Sequence, residues 1–378
     1  MGLRKISLLA VVCFALLVSS NAEEQESEQE RRPIKTFKTI YGEIIDCIDI
    51  YKQPVFDHPL LKDHKLQKKP SFSLNATKHG QRAQVKLLEI SHALDGCPDG
   101  TIPILRRTKE DRIRAKLLEQ THPQIYHPSS AEFPGLRLWS GSNPFHGAKA
   151  FIDNYIPKCA NGQSSAALLR IASRITGGTN IMQTGWTVHP DLYKDSWSHF
   201  FIYWQAGAMG CHDLMCPGFV QVDHSITLGQ VIPRSSSYGG QQFEIRLTID
   251  QDLTTNNWWL IVETANGTAH VGYWPAELLP EMKDGAEALF FGGGTSAFKD
   301  MPFPPMGSGY FPDKSFSHAC YIRQIHYTDR SKEWKVPESW QVSTRTSSKD
   351  CYGVAVNDDD DYMGYTLLFG GPGGYCGA

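Results

Sequence analysis

The stretch FEIRLTID, Phe243 to Asp250, decides the fold. Phe243, Ile245, Leu247 and Ile249 alternate with Glu244, Arg246, Thr248 and Asp250. A period of two over eight residues is the side-chain period of a strand, and it predicts a half-buried antiparallel strand. Asp252 to Asn257 reads as a polar turn, and Trp258 to Val262 returns as a second strand. Similar short runs occur at Phe200 to Trp204, Phe219 to Val222, His270 to Trp274, Tyr321 to Tyr327 and Tyr365 to Phe369. From Gly135 onward there is almost no helical periodicity. This segment, 135–378, is therefore expected to be an all-β main domain, a sandwich or barrel. Abundant glycine and aromatic residues suit a twisted sheet with a concave, aromatic-lined cleft. Trp186, Trp204, Tyr238 and Trp274 are candidates for that lining, with core packing as the competing role for each.

Upstream of the strands the texture differs. Arg4 and Lys5 precede an apolar run, Ile6 to Val18, and Ser20-Asn21-Ala22 follows. This pattern predicts a secretory signal over 1–22, since the run is shorter than the roughly 20 apolar residues of a spanning helix. A secreted, extracellular location follows, with no membrane segment after cleavage. Residues 23–34 open on an acidic polar run and are expected to be disordered. A compact small domain is expected over 35–107. In the segment 108–134, Glu110 to Gln120 has the pattern of a short amphipathic helix, and Thr121 to Phe133 reads as an exposed linker. The net charge of −3 comes with no basic stripe, so nucleic acid is not an expected partner.

With Cys13 in the signal, eight cysteines remain: Cys47, Cys97, Cys159, Cys211, Cys216, Cys320, Cys351 and Cys376. An even set in an oxidising compartment suggests disulfides, although spacing leaves the pairing open. Cys47 and Cys97 could close the small domain, and Cys211 and Cys216 could close a short loop. The sequons at Asn75 and Asn266 are possible glycan sites.

The motifs that invite a chemical reading are weak one at a time. In GAEALFFGGGT, Gly285 to Thr295, three glycines follow two aromatics. A phosphate loop would need a following Lys-Ser/Thr and a helix, and both are missing; a strand end or bulge where another backbone packs closely fits better. Gly307-Ser308-Gly309 lacks the G-x-S-x-G elbow. The acidic run Asp358 to Asp361 lacks the spaced pattern of a calcium loop. No pair of histidines four apart encloses a glutamate, so the scattered histidines do not propose a zinc site. Cys211-His212 reads as half of a disulfide rather than a thiol nucleophile. Nothing in the sequence calls for a metal or a cofactor.

Taken together, a longer set of motifs is more specific. Cys47-Ile48-Asp49-Ile50-Tyr51-Lys52-Gln53-Pro54 is followed by Cys97-Pro98 through Arg106-Arg107, then Gly185-Trp186, Pro190-Asp191-Leu192-Tyr193 and Cys216-Pro217-Gly218-Phe219. Further on come Tyr238-Gly239-Gly240-Gln241-Gln242, Gly272-Tyr273-Trp274-Pro275, Met306-Gly307-Ser308-Gly309 and Phe369-Gly370-Gly371-Pro372-Gly373. From Lys35 to Cys376 the chain resembles the neprosin-type secreted proteins of plants. The resemblance implies an activation peptide ahead of a β-sandwich peptidase domain that cuts after proline with two glutamates. One carboxylate activates water and the other protonates the leaving amine.

The resemblance places those glutamates at two positions, and neither is an acid here. The first is Gln183, and the second is Gly294, with Phe291 where relatives carry Trp. A glutamine could orient water or steady an oxyanion, but it is not a general base. Glu263, Glu277, Glu287 and Asp223 are the acids that could substitute, although nothing in the sequence puts them in a groove. The resemblance also implies Cys47–Cys97, Cys211–Cys216 and Cys351–Cys376, which by parity leaves Cys159 to pair with Cys320. The expected protein is thus a catalytically impaired homologue that binds proline-containing peptides or an extracellular polymer. The alternatives are an acid-dependent prolyl endopeptidase using replacement residues and a glycan-binding module. Material recovered from a secretory host should begin at Glu23 when its N-terminus is sequenced; a chain still carrying Met1 would refute the signal reading.

Overall fold

The computed structural model describes residues 31–73, 84–90, 96–121, 131–175, 178–265, 267–313, 315–346, 348–357 and 362–376. The signal segment, residues 23–30, Asn75, Asn266 and the acidic run 358–361 lie outside the described residues. The main domain is two antiparallel sheets packed face to face. One, the cleft sheet, runs in the order Met209–His212, His199–Ala206, Gly178–Val188, Gln163–Ile175, Ala288–Ala297, Gly135–Trp139, Val342–Arg345. The outer sheet runs Val220–Gln221, Gly267–Trp274, Trp258–Thr264, Gln242–Gln251, Gly147–Asp153, Cys320–Thr328, Thr366–Gly370, Gly353–Asn357. Side chains from both inner faces form one core, with Leu169, Ile171 and Trp186 from the first sheet and Ile152, Leu247 and Ile249 from the second. Of the two forms that period-two strands lead one to expect, sandwich or barrel, this is the sandwich.

The deciding stretch is a strand, Gln242–Gln251, but it is not half-buried. Its polar face is closed off as completely as its apolar one: Glu244, Arg246, Thr248 and Asp250 are each under 5 % exposed. Ion pairing is the physical reason that the charges tolerate this. Arg323 Nε donates to Glu244 Oε2 at 2.8 Å, and Tyr321 OH donates to the same oxygen at 3.0 Å. Arg246 Nη1 donates to both oxygens of Glu263, at 3.0 and 2.9 Å, and Lys332 pairs with Asp250. Alternation reported the faces correctly, while burial of the polar face depended on partners from distant strands.

The N-terminal part builds its own three-stranded antiparallel sheet, Lys35–Lys38, Ile44–Asp49 and Thr101–Leu105, tied by Cys47–Cys97. Order begins earlier than the sequence suggested. Arg31 pairs with Asp57, and Ile34 N donates to Cys47 O at 2.8 Å, because both reach partners in the small domain. The unit docks on the outer sheet. Gln53 exchanges two hydrogen bonds with the backbone of Gln221, and His64 Nε2 lies 2.8 Å from Tyr273 OH. Val85–Leu87 joins the outer sheet as a parallel strand beside Gln242–Glu244. The helix Lys109–Thr121 sets Ala115 and Leu118 against Leu192 and Tyr193.

Two further expectations are corrected. Ala131 and Glu132, placed by sequence in an exposed linker, are buried and pair with Ser296 and Thr295. Cys211–Cys216 and Cys351–Cys376 are bonded, but Cys159 and Cys320 are free thiols. Parity counts sulfurs without regard to where they sit. Cys320 is buried with its thiol against Asp153 O at 3.4 Å, and burial pushes the Cys159 thiol up to about 12. Arg323→Ala should lower the unfolding free energy by about 3–5 kcal/mol in urea titration, because it leaves Glu244 buried without its partner; a loss below about 1 kcal/mol would show that the pair is not what makes that face tolerable.

Candidate functional site

A strand gives alternate side chains to opposite faces, so the cleft residues can be read from register. Gln183 lies opposite Arg170, which lies opposite Phe290. Four residues along the central strand, Ala166 lies opposite Gly294 on one side and Thr187 on the other. All of these point away from the core. Of these, Gln183, Ala166, Thr187 and Gly294 line a hollow of about 380 Å³, open solvent included, together with His189, His212, Phe133 and Phe201. The two positions singled out by sequence therefore share one hollow, two strands apart.

The candidate aromatic lining is different. Trp186, Trp204 and Trp274 are at most 2 % exposed and belong to the inter-sheet core. Parity explains the first two: Trp186 is three residues from Gln183, and Trp204 is next to Tyr203, which pairs with Gln183. An odd offset turns a side chain to the opposite face. Trp186 Nε1 donates to Asp153 O at 2.7 Å, and Trp274 meets Phe219 edge to face at 5.0 Å. Tyr238 is exposed but lies outside the hollow, stacked on His318 at 4.5 Å and beside Tyr310. The lining aromatics that sequence reading missed are Phe133 and Phe201. Phe201 was legible from alternation, since it is two residues from Tyr203.

Each glycine of the 292–294 run has its own neighbour. They sit inside a strand, not at its end. A β-carbon on Gly292 would meet Pro134 O, one on Gly293 would meet Met306 Sδ, and one on Gly294 would come within 2.9 Å of Phe133 Cε1. Phe133 thus rests over Gly294. Its ring meets Phe290 edge to face at 6.2 Å, and the Arg170 guanidinium carbon lies 4.8 Å from its centroid. Arg170 Nε also donates to Gln183 Oε1 at 2.9 Å. With its acceptor engaged, Gln183 has amide donors to offer a guest.

His212 is the second group that the sequence reading passed over. Its ring lies 4.7 Å from that of Tyr203, and its Nδ1 has no hydrogen-bond partner among the described residues. Burial, reinforced by His189, pulls its pKa down to about 3. It is neutral across mildly acid pH and can accept a hydrogen bond. Asp213 beside it is pushed up to about 6 by burial, while its Oδ2 accepts from Tyr193 OH at 2.8 Å.

The acids considered as substitutes lie elsewhere. Glu263 holds Arg246, Glu277 lies beside His64, Glu287 accepts from Arg174 N, and Asp223 caps Ser225 and Ile226. No Asp or Glu is among the described residues lining the hollow. Among the described residues there is also no cluster of His, Cys, Asp or Glu suited to a metal ion.

Two family descriptions match the chain. Residues 161–372 match the family described as Neprosin, and residues 36–133 match the Neprosin activation peptide. Among solved structures, scytalido-glutamic peptidase with a transition state analog inhibitor matches at 14% identity and a TM-score of 0.37, covering 64% of this chain and 98% of that one. SCP-B, a member of the Eqolisin family of peptidases in complex with the tripeptide Ala-Ile-His, matches at 10% and 0.31 over the same shares.

The two neighbouring titrations oppose each other. His212 has a lowered folded pKa, so its contribution is present above about 6.5 and is lost as pH falls toward 3. Asp213 has a raised one, so its contribution is present below about 3.9 and is lost as pH rises through 6. Replacing His212→Leu should therefore reduce the pH slope of unfolding free energy between about pH 3.5 and 6 by up to about 1.4 kcal/mol per unit. Chemical denaturation across that range checks it, and an unchanged slope would contradict the buried neutral imidazole.

Proposed function

We propose, from the premise that this chain belongs to the neprosin family and carries its activation peptide, that it is a secreted peptidase-like protein that holds proline-containing peptides or polymer segments without cutting them efficiently. The family assignment supports peptides as the class of guest. The observation that carries the finer reading is the hollow shared by Gln183 and Gly294, with no carboxylate among its described lining residues. Amide hydrolysis needs a group to take a proton from water and another to protonate the departing nitrogen. Gln183 can orient water through its amide but cannot accept its proton, and Gly294 offers no side chain.

The geometry also says what restoring the acids would require. A glutamate at 183 would lie within reach of Arg170, whose charge would keep it ionised and fit to act as a base. A glutamate at 294 would collide with Phe133, so it needs that ring removed. Positioned acid–base groups are typically worth about 10²–10⁴ in rate.

The test compares the natural chain with the triple variant Gln183→Glu, Gly294→Glu, Phe133→Ala on a proline-containing peptide at acid pH, with products read by mass spectrometry. The natural chain should bind the peptide and leave it intact, and the triple variant should release fragments ending in proline. Turnover by the natural chain that disappears in Gln183→Ala would overturn this reading in favour of an endopeptidase using replacement residues.

A further inference from the structure

Buried arginines elsewhere in this protein have carboxylate partners, as Arg323 has Glu244 and Arg246 has Glu263. Arg137, on the cleft face, departs from that rule among the described residues. Across that face, register sets Arg137 opposite Phe290 and Phe290 opposite Arg170, so two arginines flank Phe290 from strands about 10 Å apart, and the Arg170 guanidinium carbon lies 5.4 Å from the ring centroid. Arg345 lies opposite Gly135, two residues from Arg137 and on the same face. Arg137 is only partly exposed, and its side chain makes no hydrogen bond or ion pair among the described residues. Its charge is disfavoured first by burial, then by Arg345 and Arg170, and no carboxylate offsets them.

Like charges set close together on one sheet face are destabilising, and desolvating an unpaired one adds to the cost. Packing alone does not require this arrangement, because an uncharged side chain could cover Phe290 without repulsion. The missing partner is an anion. Guanidinium groups hold carboxylates in paired hydrogen bonds, and the row continues from Arg170 to Gln183, which Arg170 already contacts. We propose that Arg137, Arg170 and Arg345 form a carboxylate-binding subsite of the cleft, which selects acidic peptides. The subsite rests on the reading that the cleft takes peptides. The acid it binds is an aspartate or glutamate side chain close to the residue that meets Gln183, or the peptide's own terminal carboxylate.

Fluorescence anisotropy with the full chain tests this. The probes are a fluorescein-labelled hexapeptide with two glutamates around a central proline and the same peptide with glutamines, each with a free or an amidated C-terminus. The glutamate peptide should bind at least about tenfold more tightly, as charge-assisted pairing predicts, and the advantage should shrink with salt. Arg137→Gln should abolish the preference while the glutamine peptide binds as before. Arg345→Gln, at an exposed position, should reduce it without threatening folding. A preference that follows the free C-terminus alone identifies the terminal carboxylate as the occupant. Equal affinity for glutamate and glutamine peptides, with either terminus, overturns the subsite but leaves the peptide cleft standing. Failure to bind any peptide, with Arg137-dependent binding of oligogalacturonate instead, overturns the peptide as occupant.

Discussion

The structure depends on the strict alternation of a strand that is used on both faces. In most exposed sheets one face meets water, and a polar residue there costs little. Here the strand Gly178–Val188 gives Met182, Thr184 and Trp186 to one side and Ile181, Gln183 and Thr187 to the other, and all are buried. Core and cleft are separated by a single residue step. A one-residue slip would exchange them, putting Trp186 into the hollow and Gln183 into the core. The long pairing with Gln163–Ile175 therefore fixes the site's composition as well as the fold.

That constraint explains what could be read from the chain. Period two in Phe243 to Asp250 was enough to give the sheet architecture, because hydrophobic alternation is a local signal. The positions of Gln183 and Gly294 came from motif resemblance, and register then brought them to one hollow. The aromatic lining was misjudged because composition does not carry parity: a tryptophan beside a cleft residue belongs to the opposite face. Phe133 was illegible for another reason. Its segment reads as linker, and only pairing of Ala131 and Glu132 with a distant strand turns it over Gly294. Nor could counting cysteines show that Cys159 and Cys320 remain thiols.

The glycine run and Phe133 are two halves of one packing solution. The absence of side chains at Gly292 and Gly293 lets Pro134 and Met306 approach the strand from opposite faces. At Gly294 the neighbour is a ring, and it comes from the last residue matched by the activation peptide. The small N-terminal unit thus docks on the outer sheet through Gln53 and His64, while the end of the same matched segment reaches the cleft on the other side of the sandwich.

Electrostatics completes the contrast between the two faces. On the outer sheet, Arg323 matches Glu244 and Glu263 matches Arg246, so these pairs need nothing from outside. On the cleft face, Arg170 satisfies one donor on the Gln183 oxygen, and Arg137 has no acidic counterpart among the described residues. A carboxylate at 183 would change this balance as well as the proton chemistry, since it would neutralise Arg170 from within. The glutamine instead accepts from Arg170 Nε as a neutral partner. On the reading proposed above, the same substitution that removes a general base also keeps the cleft positive, and a cleft of that kind is suited to retaining an acidic guest rather than turning it over.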